Sequence, residues 1–351
     1  MQTRTALQYM PQLDGLRAIA VLLVVCSHWF PASAYYLPIA DIGVILFFVL
    51  SGFLITRILL REKNNGPTGR LIRQFFIRRI LRIFPLYYAV LLVIWLLDLP
   101  DIRSDLPWFV SYLPNIFYYK LQAWKGLYSH FWTLGVEEQF YLIWPFLILY
   151  VPRKRLRKAM IAAILIGILT RFVSYQAGNP MGYLLMPGNL DAFGLGGLLA
   201  YQRTFRDRWL NVSPRSRQGL WIAHWGFLCV LFLFRESIWY NVFFRYVFAV
   251  ISLYLILGGS RGWRGWGKMI LENPLLVHLG KISYGLYIFH NFIPWTVRKI
   301  AAYFSFSVPS DFSPVNLLLC FILLLLSANL SWLLFERPIN TLKRYFPYRA
   351  S

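Results

Sequence analysis

Apolar residues fill this chain in long runs, and clusters of polar residues separate one run from the next. A membrane-spanning helix needs about 20 predominantly apolar residues, and it satisfies its backbone hydrogen bonds internally. Ten runs read as spans, at 13–31, 41–60, 83–98, 130–150, 159–176, 188–202, 219–234, 238–258, 275–297 and 315–334. They predict an all-α, polytopic integral membrane protein of about ten transmembrane helices. No internal repeat breaks the series. The chain reads as one transmembrane domain, 1–351, with no fused soluble domain. No small-residue cleavage site follows the first run, so it is predicted to be a retained span.

Composition agrees with this and charge orients it. Charged residues make up only 14% of the chain and mean hydropathy is +0.53, whereas a soluble domain carries about 25% charge. The formal net charge of +22 first suggests nucleic acid. The cations, however, sit in short connections between apolar runs, and no nucleic-acid motif accompanies them. If the runs alternate in direction, 26 of the 36 Lys and Arg residues fall on one side and six on the other. By the positive-inside rule, both termini then face the cytoplasm. The expected partners of these cations are anionic lipids and phosphates, not nucleic acid. Cys26, Cys229 and Cys320 lie within apolar runs as small buried hydrophobes. No metal-ligand spacing is visible, and no metal is expected.

Ionisable residues inside spans are costly and mark functional sites by default. Arg17 and His28 are eleven residues apart in the first run, which places them within about 20° on one helix face and about 16 Å apart along the axis. The predicted topology puts Arg17 near the cytoplasmic surface, beside Arg78, Arg79 and Arg82. It puts His28, Glu137, Glu138, Asp191 and His290 in the outer half, so that four spans bring an acid or a histidine to similar depth. Glu137 and Glu138 point about 100° apart, so one of them is expected to face the interior. Each residue also has a plainer reading. A membrane histidine is commonly satisfied by a backbone carbonyl, and arginines at a membrane edge serve orientation or headgroup contact. Ser51-Gly52, and Asp191 with Gly194, Gly196 and Gly197, suit close helix packing. Arg171 and Arg245 are candidate partners for the acids, and sequence alone does not pair them.

These residues lie in blocks that resemble the acyltransferase family 3 membrane proteins. Leu13-Asp14-Gly15-Leu16-Arg17 with His28 resembles the family's arginine-x10-histidine signature, and Arg79-Ile80-Leu81-Arg82 its arginine-x-x-arginine element. The likeness continues through Phe47 to Ile55, Trp132 to Tyr141, Ser283 to His290, and Phe335-Glu336-Arg337-Pro338, in order along nearly the whole chain. Thr133 departs from the more usual serine and keeps the hydroxyl. Some relatives carry an additional span and a periplasmic hydrolase-like domain, neither of which is read here.

The resemblance implies O-acylation in the bacterial inner membrane, with acetyl-CoA or another acyl-CoA as co-substrate. The acceptor is a glycan, a lipid-linked sugar or a small hydroxylated molecule. Arg17, Arg79 and Arg82, with Arg78, are the expected ligands of the donor's phosphates. His28 is the expected general base, since imidazole titrates near neutral pH. Glu137 is expected to orient His28, Arg17 is assigned to the catalytic residues as well as to the donor's phosphates, and His290 or Tyr284 is expected to donate to the oxyanion. Asp14, Ser51, Asp191, Tyr284, His290 and Glu138 are assigned to the substrate pocket. The rival reading is a proton-coupled transporter or flippase of a glycan precursor, for which intramembrane acids and histidines are equally suited. Transporters of that kind commonly show internal repeats, and none is read here.

Overall fold

A computed structural model describes residues 9–30, 38–205, 214–305 and 313–348, and every regular element among them is helical. Helices α1 (Pro11–Trp29), α2 (Ile39–Glu62) and α3 (Thr68–Leu96) are followed by two short ones, α4 (Ile102–Val110) and α5 (Pro114–Leu121). Next come α6 (Trp132–Tyr150), α7 (Arg153–Gln176), α8 (Leu190–Phe205), α9 (Pro214–Leu233) and α10 (Ile238–Arg261). The remainder is α11 (Trp266–Leu271), α12 (Pro274–Lys281), α13 (Ser283–Phe289), α14 (Phe292–Tyr303), α15 (Pro314–Ser331) and α16 (Arg337–Thr341). Residues 31–37, between the first two predicted spans, and residues 206–213, between the sixth and seventh, lie outside the described residues.

Five helical segments among the described residues are long and apolar enough to cross a membrane: α1, α2, α3, α10 and the run Pro314–Tyr345. The other predicted spans are shorter or carry more charge. Thus α6 holds Glu137 and Glu138, α7 opens on the Arg153–Lys158 cluster, and α8 has 16 residues. Leu92, Val93, Leu165, Leu169, Leu318 and Leu334 present large apolar side chains outward. In water such a surface would aggregate, whereas in lipid it is the ordinary exterior of a multi-pass membrane protein.

The centre of the bundle is α2, packed against α1 and α8. Small residues set these crossings. A Cβ on Gly52 would collide with the Phe193 backbone, one on Gly196 with the Val49 carbonyl, and one on Gly43 with the Ala20 carbonyl. Tight backbone approach of this kind is how helices gain dispersion contact in lipid, where no hydrophobic effect draws them together. The central helix is therefore held closely on two sides, and its third side, carrying Ser51, borders a cavity.

Two predicted boundaries change. The basic segment before residue 83 is not a loop, because α3 runs unbroken from Thr68 and buries Leu71 and Phe75 one turn apart. The predicted span at 275–297 is three helices, with turns at Ile282 and at His290–Asn291. Pro294 explains the second turn. It has no N–H to offer the carbonyl four residues back, which is that of His290, and this carbonyl instead accepts Trp29 Nε1–H at 2.9 Å. Of the cysteines, Cys320 is buried as expected, while Cys26 and Cys229 are exposed on helix surfaces.

Candidate active site

Two cavities lie at opposite ends of the α1 face that carries Arg17 and His28. The first, of roughly 110 Å³, is lined by Arg17, Arg79 and Arg82 together with Ser51, Glu137, Glu138, Tyr141, Thr133, Tyr284 and Tyr287. Arg17 is steered by Asp14, whose Oδ1 accepts from Nη1 at 3.3 Å while its Oδ2 accepts from Tyr9 OH at 2.7 Å. Asp14 thus acts on the arginine and does not line the cavity as expected. Ser51 Oγ donates to Glu137 Oε1 at 2.7 Å. The Arg79 guanidinium lies over the rings of Phe75 and Tyr141, and its Nε is buried without a hydrogen-bond partner. Both glutamates face this cavity, contrary to the expectation that only one would. The reason is that α6 presents two adjacent rows to it, 133–137–141 and 134–138, so residues 100° apart both reach the space.

The second cavity, of roughly 280 Å³, is lined by His28, Trp29, Gly126, Leu127, Asn291, Pro294 and Arg298, with Asn316, Leu317 and Cys320. His28 sits in the last turn of α1, and its Nδ1 is 2.9 Å from the Val24 carbonyl. A carbonyl only accepts, so Nδ1 carries the hydrogen and neutral His28 keeps its basic lone pair on Nε2. The exposed His28 ring meets the buried His290 ring edge-on, 4.8 Å between centroids. His290 meets His130 in the same way at 4.8 Å. His290 donates from Nδ1 to the Tyr287 carbonyl at 2.6 Å, and its Nε2 is buried without a partner. His130 donates from Nε2 to the Ile288 carbonyl at 3.2 Å. Its Nδ1 is therefore an acceptor, and it takes a hydrogen from Asn291 Nδ2 at 3.0 Å. Among the described residues no group of three His, Cys, Asp or Glu is arranged to hold a metal.

A thin layer of side chains parts the two cavities. Tyr287 OH donates to the His130 carbonyl at 2.7 Å and lies 2.6 Å from Thr133 Oγ1. Tyr287 and Thr133 line the arginine cavity, while the Tyr287 ring centroid is 5.5 Å from that of His290. Among the described residues none lines both cavities. The expected His28–Glu137 pair is therefore corrected. Glu137 is bonded to Ser51 in the arginine cavity, and the partners of His28 are Val24, by hydrogen bond, and His290, by ring contact.

The remaining assignments separate in the same way. Tyr284 lines the arginine cavity, but its hydroxyl donates to the Ile83 carbonyl at 2.8 Å. His290 has likewise committed its one N–H, so neither residue offers the oxyanion donor expected of it. Arg78 is turned away from the cavity and donates to the carbonyls of Lys343 and Phe346 at 2.8 and 3.2 Å. Asp191 lines neither cavity. It accepts two hydrogen bonds from Arg171, at 3.0 and 2.6 Å, with both side chains buried. Arg245 pairs with Asp41 and bonds Asn189. His130 and Asn291 were not singled out from sequence, although the fourth predicted run opens on His130.

The buried Arg171–Asp191 pair makes a stability prediction. Removing one partner strands a buried charge at a cost of about 3–5 kcal/mol, whereas replacing both by apolar residues is often neutral. Asp191→Ala is expected to lower the melting temperature in detergent sharply. The double change Arg171→Met with Asp191→Leu is expected to restore part of the loss, because Arg171 also donates to the buried carbonyls of Val242 and Gly188. An Asp191→Ala protein that melts normally would return this residue to the substrate pocket.

Residues 10–336 match the acyltransferase 3 family model, described as an acyltransferase domain. A helical membrane bundle carrying this arginine and histidine arrangement thus belongs to the acyltransferase 3 family. The chain is 31% identical over 317 residues to the peptidoglycan O-acetyltransferase OatA of Listeria monocytogenes, covering 82% of this chain and 50% of that one. A putative O-acetyltransferase of Staphylococcus aureus is 30% identical over 312 residues, covering 81% and 50%. The O-acetyltransferase OatA of Staphylococcus aureus is 27% identical over 361 residues, covering 95% and 57%. The chain spans about half the length of these relatives. No solved structure matches it.

Proposed function

We propose that this protein transfers an acyl group, acetyl in the first instance, from cytoplasmic acyl-CoA to a glycan hydroxyl on the outer side of the bacterial inner membrane. In this reading the ten apolar runs are all spans, both termini are cytoplasmic and the arginine cavity opens inward. The observation that carries it is the division of chemistry along α1. Three arginines line one cavity, a histidine with a free Nε2 lines the other, and the Tyr287–Thr133 layer lies between them. The relatives named O-acetyltransferases support acetyl as the group, and the Listeria relative makes a peptidoglycan glycan the first acceptor to try.

Arg17, Arg79 and Arg82 hold the donor's phosphates through charge-assisted hydrogen bonds. The pantetheine arm then extends past Ser51 and Glu137 towards Thr133 and Tyr287. The acceptor enters from the histidine side, and the layer parts so that hydroxyl and thioester meet beside His28. His28 Nε2 takes the hydroxyl proton as the oxygen attacks the thioester carbon. Asn291, oriented by His130, keeps a second amide N–H for the carbonyl oxygen as it gains negative charge. The carbon–sulfur bond breaks, the thiolate leaves and takes up a proton, and the ester remains on the sugar.

The test is reconstitution. Purified protein in liposomes, given acetyl-CoA inside and peptidoglycan fragments outside, is expected to raise the glycan mass by about 42 units per site, as an acetyl group replaces a hydroxyl hydrogen. Movement of the intact glycan across the bilayer without acylation would favour a flippase instead.

A further inference from the structure

The arginine end holds more cations than line the cavity, and one of them arrives from the far end of the chain. The run Pro314–Tyr345 leaves its regular helix through a π-turn at Trp332–Glu336, passes α16, and closes in a short 3-10 turn at Leu342–Tyr345. The segment then folds back onto α3. Arg78 clamps it by donating to the carbonyls of Lys343 and Phe346, and the Arg78 guanidinium lies 5.0 Å from the centroid of the Tyr348 ring. This clamp holds residue 343 against the helix that carries Arg79 and Arg82. Arg79 and Arg82 line the cavity together with Arg17.

Such a gathering of like charges opposes folding unless an anion joins it. Carboxylates offset it only in part: Asp14 pairs with Arg17, Glu137 and Glu138 line the cavity, and Glu336 Oε1 accepts from Ser331 Oγ at 3.0 Å. Arg79 Nε is also buried here with no hydrogen-bond partner among the described residues. Lys343 is partly exposed and its Nζ donates to Asn340 Oδ1, which leaves further N–H hydrogens for a ligand.

We infer that the C-terminal segment completes the donor site, with Lys343 binding a phosphate of the nucleotide end of acyl-CoA and Arg78 serving to position the segment. This rests on the donor reading above and extends it to a residue outside the cavity. A phosphate could equally come from a lipid headgroup, and the test separates the two sources.

The full chain, purified in detergent without added lipid, is assayed with acetyl-CoA and with S-acetyl-pantetheine, which lacks the nucleotide. Lys343→Gln is expected to raise KM for acetyl-CoA roughly tenfold to a hundredfold, as loss of one charge-assisted hydrogen bond implies, with kcat retained. It is expected to leave KM for S-acetyl-pantetheine unchanged. Lys343→Arg keeps the charge and is expected to stay within about threefold of the parent. Equal losses with both donors would show a merely structural role and overturn the inference, as would no change with either. A Lys343→Gln protein that keeps its response to acetyl-CoA but loses thermal stabilisation by phosphatidylglycerol would assign the residue to lipid instead. If the parent protein neither uses acetyl-CoA nor is stabilised by it, the donor reading itself fails, a result separable from failure at Lys343 alone.

Discussion

His28→Ala is expected to lower kcat by about 10²- to 10⁴-fold, the usual contribution of a positioned general base, and to leave KM for acyl-CoA nearly unchanged. The second half of that expectation comes from geometry. His28 lines one cavity and Arg17, Arg79 and Arg82 line the other, with no residue in common. The variant should still fold, because the His28 ring is exposed and its one hydrogen bond is to Val24 within its own helix. Single-turnover rates at saturating donor, alongside melting curves, provide the check. A well-folded His28→Ala protein that turns over normally refutes the assignment.

The double variant Arg79→Gln with Arg82→Gln is expected to show the opposite pattern. Hydrogen bonds to charged groups contribute about 1.5–3 kcal/mol each. Adjacent sites do not add fully, so KM for acyl-CoA should rise on the order of 10²-fold, with kcat within a few-fold of the parent. A second readout makes the prediction sharper. Arg17, Arg79 and Arg82 line one cavity, and like charges gathered there repel, so removing two of them should not lower the melting temperature without donor. The stabilisation that acetyl-CoA gives the parent should disappear. A variant that melts early and loses kcat and KM together would mean that the arginines hold the fold and not the donor.

The two variants also separate acyl transfer from transport. A proton relay has no use for a nucleotide phosphate, so a transporter would lose coupling at His28 and be indifferent to acyl-CoA at Arg79 and Arg82. Reciprocal effects on kcat and KM fit an enzyme whose donor-binding and base residues are distinct.

The helical, membrane-spanning character was legible because hydropathy is a local property, and a span declares itself within its own 20 residues. Arg17 and His28 were legible together for the same reason, since one helix fixes their shared face and axial separation. Glu137 was misplaced beside His28 because topology gives only approximate depth. Several ångströms along α6 are enough to move a carboxylate from one cavity to the other. Tyr284 and His290 were identified as residues but not in their roles, because the carbonyls that take their hydrogens, Ile83 and Tyr287, depend on where α3 and the turn after α13 come to lie. His130, Asn291 and Lys343 carried no signal of their own. A histidine ahead of a span, an asparagine in a turn and a lysine in a basic tail are each unremarkable in one dimension.

What the sequence determined by itself is the class of the bundle, its family, and a charged pair on the first helix, all properties written in contiguous residues. Tertiary packing decided which polar groups meet. The glycine crossings on α2 and the break imposed by Pro294 bring His28, His290 and His130 to one end of the molecule. The Arg78 clamp holds residue 343 against α3 at the other. Encounters between residues so far apart in sequence are set by the sum of many close-packed contacts, and no local pattern encodes that sum.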